Sequence, residues 1–186
     1  MRNSDATRAK LIAAAKEAFW NQGYSNTSLR AIARAASVDV ALISRYFSGK
    51  LGLFEATLES AFEWPELLDK GQDPIEVAIR KFAHPDTESH AISTAQLILM
   101  NANDPQAGEL VRKALRQALI DPLQARMGDP QASARLAMLV TVILGASMVR
   151  HSLHLPGMAD VEPDVYERQL RHLINAAMSF DQEPRV

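Results

Sequence analysis

Apolar residues recur along this chain with the 3.6-residue period of an α-helix, and no segment carries the two-residue alternation of a strand into a hairpin turn. From Thr7 to Gln22 they fall at Leu11, Ile12, Ala15, Ala18 and Phe19, a single stripe on an otherwise polar helix. Gly23 follows as a stop, since glycine readily adopts the left-handed conformation that closes a helix C-terminus. A short second helix is predicted over 29–36, burying Leu29, Ile32, Ala33 and Ala36, with capping oxygens in the preceding Ser25-Asn26-Thr27-Ser28. Asp39 is a good N-cap for a third helix to about Phe47, and a fourth runs from Leu51 to about Trp64, stopped by Pro65. Longer helices are expected near 74–83, 87–103, 106–127 with a bend at Asp121-Pro122, 130–155 and 163–180. The predicted fold is all-α, with about nine helices.

Counting removes whole classes of function. There is no cysteine, which excludes disulfide frameworks, thiolate metal sites and cysteine nucleophiles. Met1 to Lys10 lacks the apolar core of a secretory signal, and the longest uncharged apolar run, Leu136 to Val149, is 14 residues between Arg135 and Arg150. That falls short of the roughly 20 residues that span a bilayer. A soluble cytoplasmic chain with no membrane partner is expected. No glycine-rich phosphate loop, Gly-x-Ser-x-Gly elbow or His-Glu-x-x-His motif is present, so no enzyme activity and no cofactor are expected. His151 and His154 could share a metal only if a carboxylate such as Glu167 completed the set. Histidines near a helix C-terminus more simply complement the helix dipole, and no metal site is expected.

The net charge of −2 conceals an asymmetry: residues 1–50 carry a balance of +5 and residues 51–186 one of −7. A basic first quarter suits contact with a polyanion. Within it, the two short helices 29–36 and 39–47, joined by a tight turn and braced by a longer helix, form a helix-turn-helix candidate. In such a motif the second helix enters the major groove of double-stranded DNA. Val40, Ala41, Ser44 and Arg45 share a face opposite Ile43 and Phe47, which read as buried. Arg45 can place two parallel N–H donors on guanine, while Val40 and Ala41 can pack on thymine methyl groups. Thr27, Ser28, Tyr46 and Lys50 flank this face at helix ends, where hydroxyl, ammonium and backbone N–H groups reach phosphates.

The run from Thr27 to Leu53 resembles the DNA-binding domain of TetR-type transcriptional regulators. Thr27, Ile32-Ala33, Ala36, Val38, Phe47, Lys50 and Leu53 match the family pattern in register, as do Ala18-Phe19 and Gly23-Tyr24 on the preceding helix. Three positions depart from it. Ser37 stands where the turn glycine is usual, at a strain if its φ is positive. Ser44 replaces a phosphate-contacting tyrosine, and Tyr46 replaces the histidine before Phe47. The resemblance also turns Arg30, at the front of the second helix, toward the groove.

The same resemblance implies a helix-turn-helix DNA-binding domain over 1–50 and an effector-binding and dimerisation domain over 51–186. A helix apolar on nearly every face, as 136–149 is, must be covered either by the chain's own core or by a second copy. The family places the last two helices of each subunit in an intersubunit four-helix bundle, with Leu139, Ile143, Ala146, Leu170, Leu173, Ile174 and Ala177 as the interface. The middle helices would form the pocket of a largely apolar small-molecule effector, with Phe82, Leu97 and Met100 as lining and His90, Thr94 and Asn101 as polar anchors. The expected function is a homodimeric repressor released from a palindromic operator by that effector. The alternative is a ligand-independent DNA-binding or architectural protein whose C-terminal region only dimerises or recruits a partner.

Overall fold

The structure, a computed structural model, describes residues 2–59, 61–62, 71–85, 91–129 and 132–179. Its elements are α1 (Arg2–Gln22), α2 (Leu29–Ala35), α3 (Ala41–Phe47), α4 (Lys50–Glu59), α5 (Pro74–Ala83), α6 (Ala91–Asn101), α7 (Gly108–Leu115), α8 (Asp121–Met127), α9 (Ala132–Ser147) and α10 (Pro163–Met178). A π-helical segment, Arg116–Ile120, joins α7 to α8 without a break, so the described residues hold nine continuous helical stretches and no strand. That segment lies immediately ahead of Asp121-Pro122, where the sequence predicts a bend. Pro122 has no N–H to donate and its ring presses on the carbonyl one turn earlier, and a widened turn ahead of it relieves the clash. The predicted end of the fourth helix at Trp64 and the start of the sixth at Thr87 lie outside the described residues.

Two compact units emerge, residues 1–63 with 96–115, and residues 64–95 with 116–186. In the first, Leu11, Ala15 and Phe19 of α1 are fully buried, as are Leu53 and Phe54 of α4. Phe19, Tyr24 and Phe54 meet as an aromatic trio, with ring centroids 5.2–5.6 Å apart in stacked and edge-on pairs. Such pairs contribute about 0.5–1.5 kcal/mol each beyond the area they bury. Gly52 is required where α4 meets the end of α3, because a Cβ there would collide with the Phe47 carbonyl. The helix-turn-helix therefore shares its core with α4, and its compact unit runs past residue 50.

In the second unit, Val77, Ile79 and Phe82 of α5 pack with Leu123, with Leu136, Leu139 and Ile143 of α9, and with Tyr166, Leu170 and Ile174 of α10. Arg171 on α10 bonds both Glu76 of α5 and Glu167, and His84 Nε2 lies 2.7 Å from Glu167. Glu167 is thus engaged by Arg171 and His84, not by His151 and His154.

The helical stretch Ala132–Ser152 has 21 residues, longer than the 14-residue apolar run within it, and is long and apolar enough to cross a membrane by length and composition. Its two arginines are engaged by the protein. Arg135 pairs with Asp129, while Arg150 lies over the Tyr166 ring and donates to the Met158 and Val161 carbonyls.

The residues expected at the dimer interface divide by burial within the chain. Leu139, Ile143, Ala146, Leu170, Ile174 and Ala177 are all buried within the chain itself, and of the seven only Leu173 is exposed, at 47%. The stripe with the strongest apolar repeat is the one that the intrachain core takes first. The exposed side of these helices carries Met138, Thr141, Gly145 and Met148 on the α9 stretch and Val165, Gln169, Leu173 and Ala176 on α10.

Candidate nucleic-acid interface

The turn that sets α3 against α2 closes α2 with two reciprocal bonds. Val38 N–H donates to Ala33 O at 3.0 Å and Ser37 N–H to Arg34 O at 3.1 Å, the Schellman pattern. Ser37 sits at its left-handed position with φ +56°, the strain expected where a serine stands in a glycine slot. Ser28 opens α2, its hydroxyl oxygen accepting the Ala31 N–H at 3.1 Å. Asp39 caps α3 through the Ala41 N–H at 2.7 Å. Ser48, also left-handed at φ +59°, closes it.

With both ends closed, α3 buries Ile43 and Phe47 and exposes Val40, Ala41, Ser44 and Arg45. The structure thus brings these four together on one face, and Arg30 at the front of α2 is exposed as well. Tyr46 is half-buried, with the Arg45 guanidinium 5.9 Å above its ring and the Phe47 ring 6.4 Å away. Beyond Phe47, at 5.3 Å, lies the guanidinium of Arg8 on α1, which the sequence reading passed over.

Two expected phosphate contacts are placed differently. Thr27 is buried, and its hydroxyl donates to the Gly23 carbonyl at 2.9 Å. It pins the α1–α2 turn and is corrected from phosphate contact to structural residue. Lys50 is half-buried, its ammonium 4.3 Å over the Tyr24 ring. Burial pulls its pKa below the ordinary lysine value, and the Asp104 carboxylate opposes that shift. Asp104 itself accepts from the Ser25 hydroxyl at 2.5 Å and from the N–H groups of Gln106 and Ala107. Its link to the α1–α2 turn carried no signal in the sequence, because Ser25 lies 79 residues away.

Of the residues expected to line an effector pocket, Phe82 and Thr94 are buried in the second unit, and Leu97 and Asn101 in the first. Met100 is 44% exposed, and His90 lies outside the described residues. Asn101 is corrected as an anchor for a ligand. Its amide donates to Phe19 O and Leu97 O, and its carbonyl accepts from Tyr24 N–H. A cavity of about 260 Å³ does open in the second unit, lined by Asp73, Pro74, Ile75, Leu123, Arg126, Met127 and Leu136.

A closed helix-turn-helix with a solvent-facing second helix, on a chain whose described residues form helices and no strand, is the architecture of helix-turn-helix DNA-binding regulators. The family profile of bacterial regulatory proteins of the tetR family matches residues 11–57, and that of the tetracyclin repressor-like C-terminal domain matches residues 72–177. The chain belongs to the TetR family. It is 45% identical over 58 residues to the probable HTH-type transcriptional regulator YttP of Bacillus subtilis, covering 31% of this chain and 28% of that protein. It is 28% identical over 124 residues to the HTH-type transcriptional regulator BetI of Cronobacter sakazakii, covering 67% of this chain and 55% of that one. The matches thus span about a quarter and about half of those two relatives. Among solved structures, NalD, the secondary repressor of the MexAB-OprM multidrug efflux pump in Pseudomonas aeruginosa, superposes with a TM-score of 0.69 at 21% identity, covering 95% and 98% of the two chains. The multidrug binding protein EbrR, solved with malachite green, gives 0.60 at 20% identity over 89% and 96%.

Proposed function

We propose that this chain is a homodimeric repressor that binds a palindromic operator in double-stranded DNA and leaves it when a small, largely apolar effector binds. The observation that carries the reading is the exposed face of Val40, Ala41, Ser44 and Arg45 on a helix whose opposite side, Ile43 and Phe47, is sealed into the core. Such a face offers one bidentate donor set and two methyl-bearing surfaces to base edges. One such motif reads few base pairs, so specific affinity calls for two copies about 34–36 Å apart. The unspent apolar surface of Met138, Gly145, Met148 and Leu173 supports a second copy packing on α9 and α10.

Effector response belongs, in this reading, to residues 51–186, with Phe82, Thr94, Leu97 and Met100 and the 260 Å³ cavity as the places to look. A ligand that prefers one arrangement of these helices shifts the population away from the DNA-binding one, with a coupling of about 1–3 kcal/mol. Selection from a randomised duplex library by the purified protein is expected to enrich a palindromic sequence bound by two chains. Absence of any enriched sequence at moderate salt would overturn the reading. Release of that duplex by an aromatic dye such as malachite green separates a ligand-responsive repressor from a constitutive DNA-binding protein.

A further inference from the structure

We propose that Arg8, on the first turns of α1, is a DNA-phosphate contact that clamps the C-terminal end of the recognition helix α3 to the duplex backbone. The inference rests on the DNA-binding reading above and adds a residue outside the helix-turn-helix to its contact surface.

Arg8 continues the core stripe of α1. Leu11, Ala15 and Phe19, at +3, +7 and +11 from it, are all fully buried. An apolar side chain would be the packing choice at the next position of that stripe. The chain instead places an exposed arginine, whose guanidinium lies 5.3 Å from the centre of the Phe47 ring. Phe47 is the last residue of α3, so the cation is held at that helix's C-terminal end.

The contacts there run in series: the Arg8 guanidinium, the Phe47 ring, the Tyr46 ring 6.4 Å further, and the Arg45 guanidinium 5.9 Å from that. Both guanidinium groups belong to exposed residues, and among the described residues neither is paired with a carboxylate or donates a hydrogen bond to the protein. A guanidinium held against a ring with its N–H fork unspent, as Arg8 is on Phe47, is a ready partner for an anion with several acceptor oxygens. Where a recognition helix leaves the major groove, the anion at hand is a backbone phosphate. Arg45 serves the base edges, and Arg8 serves the backbone beside them.

The test is the salt dependence of binding to a mixed-sequence DNA duplex by the full chain and by its Arg8→Gln and Arg8→Lys variants. Removing one phosphate contact is expected to lower the slope of log affinity against log salt by about 1. Arg8→Gln is expected to lose about tenfold in affinity at low salt together with that unit of slope. Arg8→Lys, which keeps the charge, is expected to retain the slope. The thermal midpoint, measured in parallel, reads the packing role. A lower midpoint in Arg8→Gln with unchanged slope would mean that the arginine only packs on Phe47, and the proposal would fall while DNA binding stood. If the unsubstituted chain does not bind duplex DNA at all, both readings fall together.

Discussion

The side-chain carbonyl of Asn101 accepts the backbone N–H of Tyr24 at 2.7 Å, across 77 residues of sequence. The same amide donates to the Phe19 and Leu97 carbonyls at 3.1 and 2.9 Å, so one fully buried side chain ties the end of α6 to the end of α1. Ser25 and Asp104 repeat the link one residue further along the first segment and three further along the second. The helix-turn-helix is therefore referenced to a segment about eighty residues downstream by side-chain bonds as well as by its packing on α4.

Truncating that amide strands a buried backbone group. Asn101→Ala leaves Tyr24 N–H without this partner while Phe19 O keeps the Gly23 N–H, and an unsatisfied buried group costs about 1–3 kcal/mol in addition to the packing lost with the side chain. A loss of about 2–3 kcal/mol in urea unfolding is expected, with weaker DNA binding at the same temperature. A variant as stable as the parent would show that the bond network contributes little.

Ser37 points the other way. An L-residue in the left-handed region is strained by about 1–2 kcal/mol, which glycine avoids, while glycine costs somewhat more chain entropy on folding. Ser37→Gly is expected to raise stability by about 0.5–1 kcal/mol and to leave the selected duplex unchanged, since the turn it relieves is already in the conformation glycine prefers. A lower urea midpoint in this variant contradicts the strain.

Arg45 and Lys50 are expected to divide their work. Arg45→Ala removes the bidentate base contact of the proposed reading, with an expected loss of about 1–3 kcal/mol confined to the preferred sequence and relaxed choice at one base pair. Lys50→Ala removes charge beside the Tyr24 ring and is expected to weaken all duplexes alike and flatten the salt slope. Binding curves on the selected and a scrambled duplex check both. Equal losses on the two duplexes for Arg45→Ala would remove it from base reading.

His151 gives the chain a pH dependence of known sign. Burial, then the charges of Arg150 and His154, hold its imidazole below the ordinary histidine value of 6.5. Its folded pKa lies below its unfolded one, so the unfolded chain takes up the proton first as pH falls. Stability is full above that range and is lost as pH descends through 6.5 toward the lower folded value. His151→Gln is expected to shrink the difference in urea midpoint between pH 8 and pH 5.5. An unaltered difference would assign the pH response to other groups.

Much of this was legible in the residue order. The glycine slot at Ser37, the cap at Asp39 and the buried and exposed sides of α3 are local features, decided by residues within a turn or two of one another. Thr27 was misread because a hydroxyl at a helix start looks the same whether it turns to a phosphate or to the Gly23 carbonyl behind it. Asn101 was misread for the same reason at longer range, as its three partners sit in Phe19, Tyr24 and Leu97.

The last two helices draw the line between the two kinds of information. By itself the sequence determined that α9 and α10 are amphipathic or wholly apolar, because helical period is a property of spacing alone. Which surface covers each stripe depends on what else competes for it. The strongest stripe, Leu139, Ile143, Leu170 and Ile174, closes on α5 and on itself within one chain. The weaker one, Met138, Gly145, Met148 and Leu173, is left facing outward. Only the tertiary structure could decide that, since burial is a sum over neighbours that no run of residues contains.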